Sequence, residues 1–190
     1  MALNSANVRV AVTGEVLMGL TTATAPTGTA GVTTGFTGLG FVSEDGVTET
    51  RDRSTDDIKA WQNGATVRTV VTDGSLSYQF TLLETRKDTV ELYYGTTVTA
   101  AASDGSFVIV PTNTGGRRSF IIDVVDGAEL IRTYIPSGEV SEVGDRVYVN
   151  GDPIGYEVTI KAYPSASITD ASGAQGSAKV YATALKTGGA

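Results

Sequence analysis

Asp52, Asp56 and Asp57 bring three carboxylates into one short stretch, the donor type that a hard divalent cation takes. Their spacing is not that of a calcium-binding loop, and Arg51, Arg53 and Lys59 are interleaved with them and compete for the same oxygens. A solvated cluster of mixed charge is the reading these residues support. Glu139 and Glu142 form a second pair, of the kind that shares acid and base work in glycoside hydrolysis, but such a pair acts only across a defined cleft. Gly28, Gly31, Gly35 and Gly38 follow no strand-to-helix pattern, so they read as loop glycines rather than a phosphate cradle. Gly115-Gly116-Arg117-Arg118 can touch a phosphate, yet two arginines opening a strand are also the charges that keep a sheet edge from aggregating. Nucleophile elbow and P-loop are both missing. With His 0 and Cys 0, the commonest general base, the thiolate zinc site and the disulfide are excluded. No catalytic, cofactor or metal residue is expected, and the chain does not read as an enzyme.

The charge balance bounds the partners. Asp and Glu number 21 against 14 Lys and Arg, a formal charge of −7 that barely changes near neutral pH. Such a chain lacks the basic footprint of a nucleic-acid binder. It has no apolar run of membrane-spanning length and no charged-then-apolar leader pattern. At 190 residues, 41% apolar and 18% charged, it can bury one sizeable core. Gly, Thr and Val recur throughout and favour strands over helices.

The elements that must position these residues centre on the stretch 64–95. Leu76, Tyr78, Phe80 and Leu82 alternate with Ser77, Gln79 and Thr81, a period of two that marks a half-buried strand. Asp73-Gly74 is a two-residue hairpin signal, which would set Val71 opposite Leu76, Thr69 opposite Tyr78 and Val67 opposite Phe80. The other face would then carry Arg68, Val70, Ser75, Ser77, Gln79 and Thr81, largely polar and mostly small, into water. A short helix follows, with capping-box spacing at Thr85 and Asp88, Val90 and Tyr94 on one face, and Gly95 where a left-handed cap belongs. Earlier, Val8, Val10 and Val12 alternate like an opening strand. Residues 19–40 read as a long Gly/Thr-rich loop with Phe36, Leu39 and Phe41 as anchors, and such a loop binds something or orders on assembly. Residues 46–60 form a charged arm that ends at Trp61, which can anchor to a core or to a neighbour.

Later strands are expected at 97–101, 107–110 and 120–124, with a turn at Asp126-Gly127 and a return strand over 129–135. A further turn at Asn150-Gly151 precedes an alternating strand over 154–162. Residues 165–177 read as a loop or linker, and 178–185 as a last strand before a frayed Gly-rich end. The fold class is mainly β, a sandwich or barrel with one short flanking helix and long loops. No boundary divides the chain, so 1–190 reads as one domain with loop 19–40, arm 46–60 and a flexible C-terminal segment 165–190.

Two blocks carry a family resemblance. GFVSEDGVTETRDRSTDDIKAWQNGATVRTVVTDGSLSYQFTLLETRKDTVELYYG, residues 40–95, resembles the core of the major tail (tail tube) proteins of long, non-contractile-tailed phages, particularly those of actinobacterial hosts. IPSGEVSEVGDRVYVNGDPIGYEVTIKAYP, residues 135–164, resembles their later segment. The Gly-rich loop near residue 28 and the chain after Ser165 match least. The resemblance implies a β-sandwich with a flanking helix, forming homohexameric rings that stack into a tube. The joined inner sheets would enclose the tape-measure protein and later pass double-stranded DNA without specific binding. It also implies contacts with tail terminator and distal tail proteins, a place in the virion tail, and assembly in the host cytoplasm. Under it, Arg68, Ser77, Gln79 and Thr81 are candidates to line the lumen, with Arg68 paired to a neighbour's acid. Glu49, Arg51, Asp52, Arg53, Asp56, Asp57, Lys59 and Trp61 are candidates for contacts between subunits or rings. A monomeric Ig-like adhesin or virion decoration module is the alternative of a different class.

Overall fold

The computed structural model describes residues 7–31 and 34–185. Val32 and Thr33 of the Gly-rich loop, and residues 186–190 of the C-terminal segment, lie outside them. Strands β1 (Thr13–Gly19), β2 (Phe36–Gly38), β3 (Val42–Lys59) and β4 (Thr66–Leu82) lead to helix α1 (Lys87–Tyr94). The short β5 (Thr99–Ala100) and β6 (Gly105–Ser106) follow, then β7 (Arg118–Asp126), β8 (Glu129–Val143) and β9 (Tyr156–Ala162). The described chain closes with β10 (Ser165–Thr169), β11 (Gln175–Gly176), β12 (Lys179–Ala182) and a 3-10 turn (Thr183–Leu185), which ends the last strand short of the 185 expected. The main sheet is antiparallel, in the order β2-β1-β7-β8-β9-β4-β3, with β12 also paired to β8.

β8 is long enough to serve two wings. Its first part pairs with β7 on one edge and β12 on the other, and its second part pairs with β9. Ile135-Pro136-Ser137-Gly138 makes the corner between them. Pro136 has no N–H to give a ladder, and it sits where the β7–β8 register shifts. Its carbonyl accepts instead from the buried Ser119 hydroxyl at 2.8 Å. A side chain at Gly138 would meet Phe120 and Ile160 within 3.0 Å, so only glycine lets the two wings close here. The wings share one core: Val16, Phe120, Ile122 and Ile135 from the first, Tyr78, Phe80, Leu82, Tyr156, Val158 and Ile160 from the second. Each such side chain contributes about 1.5–3 kcal/mol by leaving water. The alternation read on β4 and β9 therefore faces this core, as expected.

The central hairpin turns elsewhere than expected. β4 runs straight through Asp73-Gly74, and the turn is made by 61–64, with Asn63 at φ 58° and Gly64 at φ 65°. Ala60 N–H closes it on Ala65 O at 2.7 Å. An Asn-Gly pair is as strong a hairpin signal as Asp-Gly. Turning at Asn63-Gly64 pairs the whole 18-residue β3 with the 17-residue β4, which a turn at Asp73 would have left apart. Asp73-Gly74 marks instead a bulge: Asp73 faces Ser54 and Val71 faces Thr55, leaving Thr72 over. Tyr78 consequently faces Glu49, not Thr69, and Phe80 faces Val47, not Val67.

Other expectations shift for lack of a partner strand. The main-chain ladder of β1 begins at Thr13 rather than at Val8, because β7 ends at Asp126; Val10 N–H is received by the Asp126 carboxylate at 3.1 Å. Residues 107–110 form no strand, and 97–101 reduces to the two-residue β5. The 165–177 segment, read as a linker, holds the β10–β11 hairpin. α1 begins without a side-chain cap, and Thr85 meets the Tyr156 hydroxyl at 3.0 Å instead. Gly95 does take the left-handed cap, at φ 60°. Of the loop anchors, Leu39 is buried and Phe36 packs edge-on against Tyr134, but Phe41 is exposed. The turn over Gly127 and the return strand hold, β8 reaching much further than 135.

Candidate assembly surface

In an antiparallel ladder, cross-strand partners share a face and successive residues alternate. On the face of the second wing turned from the core, β4 therefore shows Ser75, Ser77, Gln79 and Thr81. Their ladder partners include Asp52, Thr50 and Thr48 on β3 and Lys161, Thr159 and Glu157 on β9. β8 adds Glu139 and Glu142 through its pairs with Lys161 and Thr159. The bulge at Thr72 flips the parity of β4, so Arg68, paired with Ile58, stays on the same face as Ser77. Arg68, Ser77, Gln79 and Thr81 thus share one face even though the turn expected to unite them is absent.

This face is polar across four strands, apart from Ile58 and Val70 on the arm, and net acidic. Asp52, Asp56, Asp73, Glu139, Glu142 and Glu157 outnumber Arg68 and Lys161. The Gln79 amide donates to Glu157 at 2.6 Å, and Thr114 donates to Glu139 at 2.6 Å. Arg117 also reaches Glu139, at 3.9 Å, from the margin. Glu157, Thr159 and Lys161 were legible as the polar phase of β9; what joins them to Ser77 and Gln79 is only the ladder.

The arm residues do not form one cluster. Glu49, Arg51, Arg53 and Asp57 lie on the core-side face of the ribbon, and Asp52 and Asp56 on the wet face. Among the described residues, no group of carboxylates is placed to hold a metal ion. Glu49 lies opposite Tyr78, whose phenol burial, reinforced by that carboxylate, pushes well above its usual range. From Arg51 to Lys59 the whole ribbon is exposed, and Thr69 donates to Asp57 across it at 2.6 Å. Trp61, at the tip, is 98% exposed.

The outer face of the first wing is built differently. Asp123 and Arg132 are ladder partners in β7 and β8, with side chains 5% and 8% exposed. Arg132 donates to both carboxylate oxygens, at 2.8 and 2.6 Å, a bidentate pair. Its remaining Nη1 donates to Gly28 O and Gly31 O at 3.3 and 3.2 Å, and Tyr181 donates to Pro26 O at 2.7 Å. The Gly-rich loop is thereby fastened down. Leu17, Ile121, Tyr134 and Ile168 form a small second core beneath it and β10.

The third surface is a groove of about 340 Å³ between α1, residues 109–114 and the end of β8. Arg146 fixes one wall, donating to Tyr94 at 2.7 Å and Tyr156 at 3.0 Å with its guanidinium over the Tyr148 and Tyr156 rings. Tyr93 donates to Gly144 O at 2.6 Å. Sequence reading missed this groove because its walls are far apart in the chain.

No curated protein matches the chain. A family model described as phage tail tube protein matches residues 1–172, all but the C-terminal end of the chain. The chain belongs to the phage tail tube protein family, structural proteins of the virion tail.

Proposed function

We propose that this protein is the repeating subunit of the tail tube, with the acidic face of β8, β9, β4 and β3 turned to the lumen. The observation that carries this reading is the asymmetry of that wing: one face is core, the other is polar, acidic and continuous over four strands. A tube wall that passes DNA needs such a face, because every phosphate neutralised by Lys or Arg strengthens nonspecific binding. Arg68, Ser77, Gln79 and Thr81 line the channel, Arg68 paired with a neighbour's acid. The wing also has two edges for joining copies: among the described residues β3 pairs only with β4, and past Gly138 β8 pairs only with β9. Six copies close a ring, as the resemblance to tubes of long, non-contractile tails implies, and the rings stack. The tube encloses the tape-measure protein, conducts the genome at ejection, and meets terminator and distal tail proteins at its ends. Rings assemble in the host cytoplasm, and Glu49, Arg51, Asp52, Arg53, Asp56, Asp57, Lys59 and Trp61 make contacts between them.

Electron microscopy of the purified protein tests this. Rings or tubes are expected, with the four named side chains on the channel wall in an ordered reconstruction; their appearance on the outside overturns the lumen assignment. Reversing Asp56 and Asp57 together to Lys should reduce tube formation while leaving the melting temperature in place. Normal tubes from that variant remove the arm carboxylates from the contact.

A further inference from the structure

The β3–β4 arm and the α1 groove lie at opposite ends of the second wing. β4 pairs with β9 from Leu82 opposite Tyr156 down to Leu76 opposite Ala162, and the arm continues past the Leu76 end. The groove lies toward the other end, where Val143 faces Val158 and α1 follows Leu82. The part of β4 from Thr66 to Ser75 extends about 30 Å past the end of its pairing with β9 at the usual rise per residue, and its outer half lies beyond the β12 cleft. Among the described residues, nothing covers the apolar tip held that far out. Ile58 and Val67 flank Trp61 there, all exposed.

We infer that the Trp61 tip of one copy seats in the α1 groove of a second copy, stacked end to end; this rests on the tube-subunit reading above. Leu92, Tyr94, Ile109, Val110, Pro111 and Val143 supply an apolar bed deep enough for an indole, which gains most from such burial. Charge is compatible. Lys59 and Arg68 flank the tip, with Asp57 one rung below, and the groove lining bears Glu142, with Arg146 behind its Tyr94 wall. A second cleft, between the arm base and β12, lies on the arm's own end of the molecule, so it cannot take part in an end-to-end stack, and its lining balances Arg51 and Arg53 against Glu49 and Asp52. Donor and acceptor on opposite ends make a head-to-tail contact that repeats without closing, the geometry of a stack rather than a ring.

Trp61 is the only tryptophan, so its emission reports the tip in the unmodified protein. On passing from monomer to tube, emission should move to shorter wavelength and iodide quenching should fall several-fold. Tubes whose tryptophan stays as exposed as in the monomer overturn the inference and leave the tube reading standing; a protein that forms no tubes overturns both. The chain has no cysteine, so a designed pair identifies the acceptor. Trp61→Cys with Val143→Cys should give an oxidised ladder from assembled protein, both sites being accessible in the monomer. Trp61→Cys with Val180→Cys, a residue of the second cleft, should not. A ladder from the second pair in place of the first also overturns the inference.

Discussion

The two wings of this molecule share one core and treat their other faces in opposite ways. The first wing covers its outer face: a Gly-rich loop and the β10–β11 hairpin lie over Leu17, Ile121, Tyr134 and a buried Asp123–Arg132 pair. The second wing leaves its outer face bare, with Ser77, Gln79, Thr159 and a surplus of carboxylates in water. The difference lies in one ladder position. Arg132 gives two donor contacts to Asp123 and two more to the carbonyls of Gly28 and Gly31, holding that part of the loop over the sheet. On the second wing the described side chains hold only a marginal segment in that way, Glu139 receiving Thr114 and meeting Arg117. Two low-complexity or charged segments that looked alike as candidates for assembly, 19–40 and 46–60, thus have separate fates. One is fastened to its own sheet, and the other projects.

The largest effect should come from breaking the covered side. Arg132→Met leaves the Asp123 carboxylate buried without its partner and should cost about 3–5 kcal/mol in denaturant unfolding. Asp123→Leu added to it should recover most of that loss, since the pair itself carries little net stability. If the double variant is no better than the single, the loop carbonyls rather than the ion pair hold the loop.

A smaller loss is expected at the corner that lets the two wings be compared at all. Gly138→Ala puts a methyl against Phe120 and Ile160 and should cost about 1–3 kcal/mol by overpacking, read from the thermal midpoint. The bare face should behave as a surface. Ser77→Lys with Gln79→Lys should change stability by less than about 1 kcal/mol, the worth of the Gln79–Glu157 hydrogen bond. The same pair should add salt-dependent retention of DNA, measured by filter binding at two ionic strengths.

The smallest effect is alkaline. Burial raises the phenols of Tyr78, Tyr93 and Tyr134, Tyr78 most strongly. A folded pKa above the unfolded value of about 10 gives stability that is complete below that pH and declines as pH rises beyond it. Ultraviolet titration should show these phenols ionising only above the usual tyrosine range, or together with unfolding. A single titration near that of free tyrosine would contradict their burial on both wings.

Much of this architecture is local enough to be legible. Alternation on β4 and β9 identifies the core residues, because a period of two leaves one face to bury; β7 alternates as well but also buries Ile121 and Asp123 on its other face. Gly95 and Gly127 mark a cap and a turn that need positive φ. Absence of histidine and cysteine narrows the chemistry without any fold. The hairpin shows where local signals run out: Asp73-Gly74 and Asn63-Gly64 are equivalent in sequence, and the choice belongs to the pairing that satisfies the most backbone groups, a property of both strands together.

Composition and periodicity therefore determined that this is an acidic, mainly β protein with a wet strand face, and the resemblance over 40–95 and 135–164 pointed to its family. Which segments cover that chain and which project was decided by contacts between residues a hundred positions apart, Arg132 with Gly28 and Gly31, and Tyr181 with Pro26. The same is true of the wet face. Ser77, Glu157 and Glu139 become one surface only when three strands are laid side by side, since a strand carries its own alternation but not the identity of its neighbours.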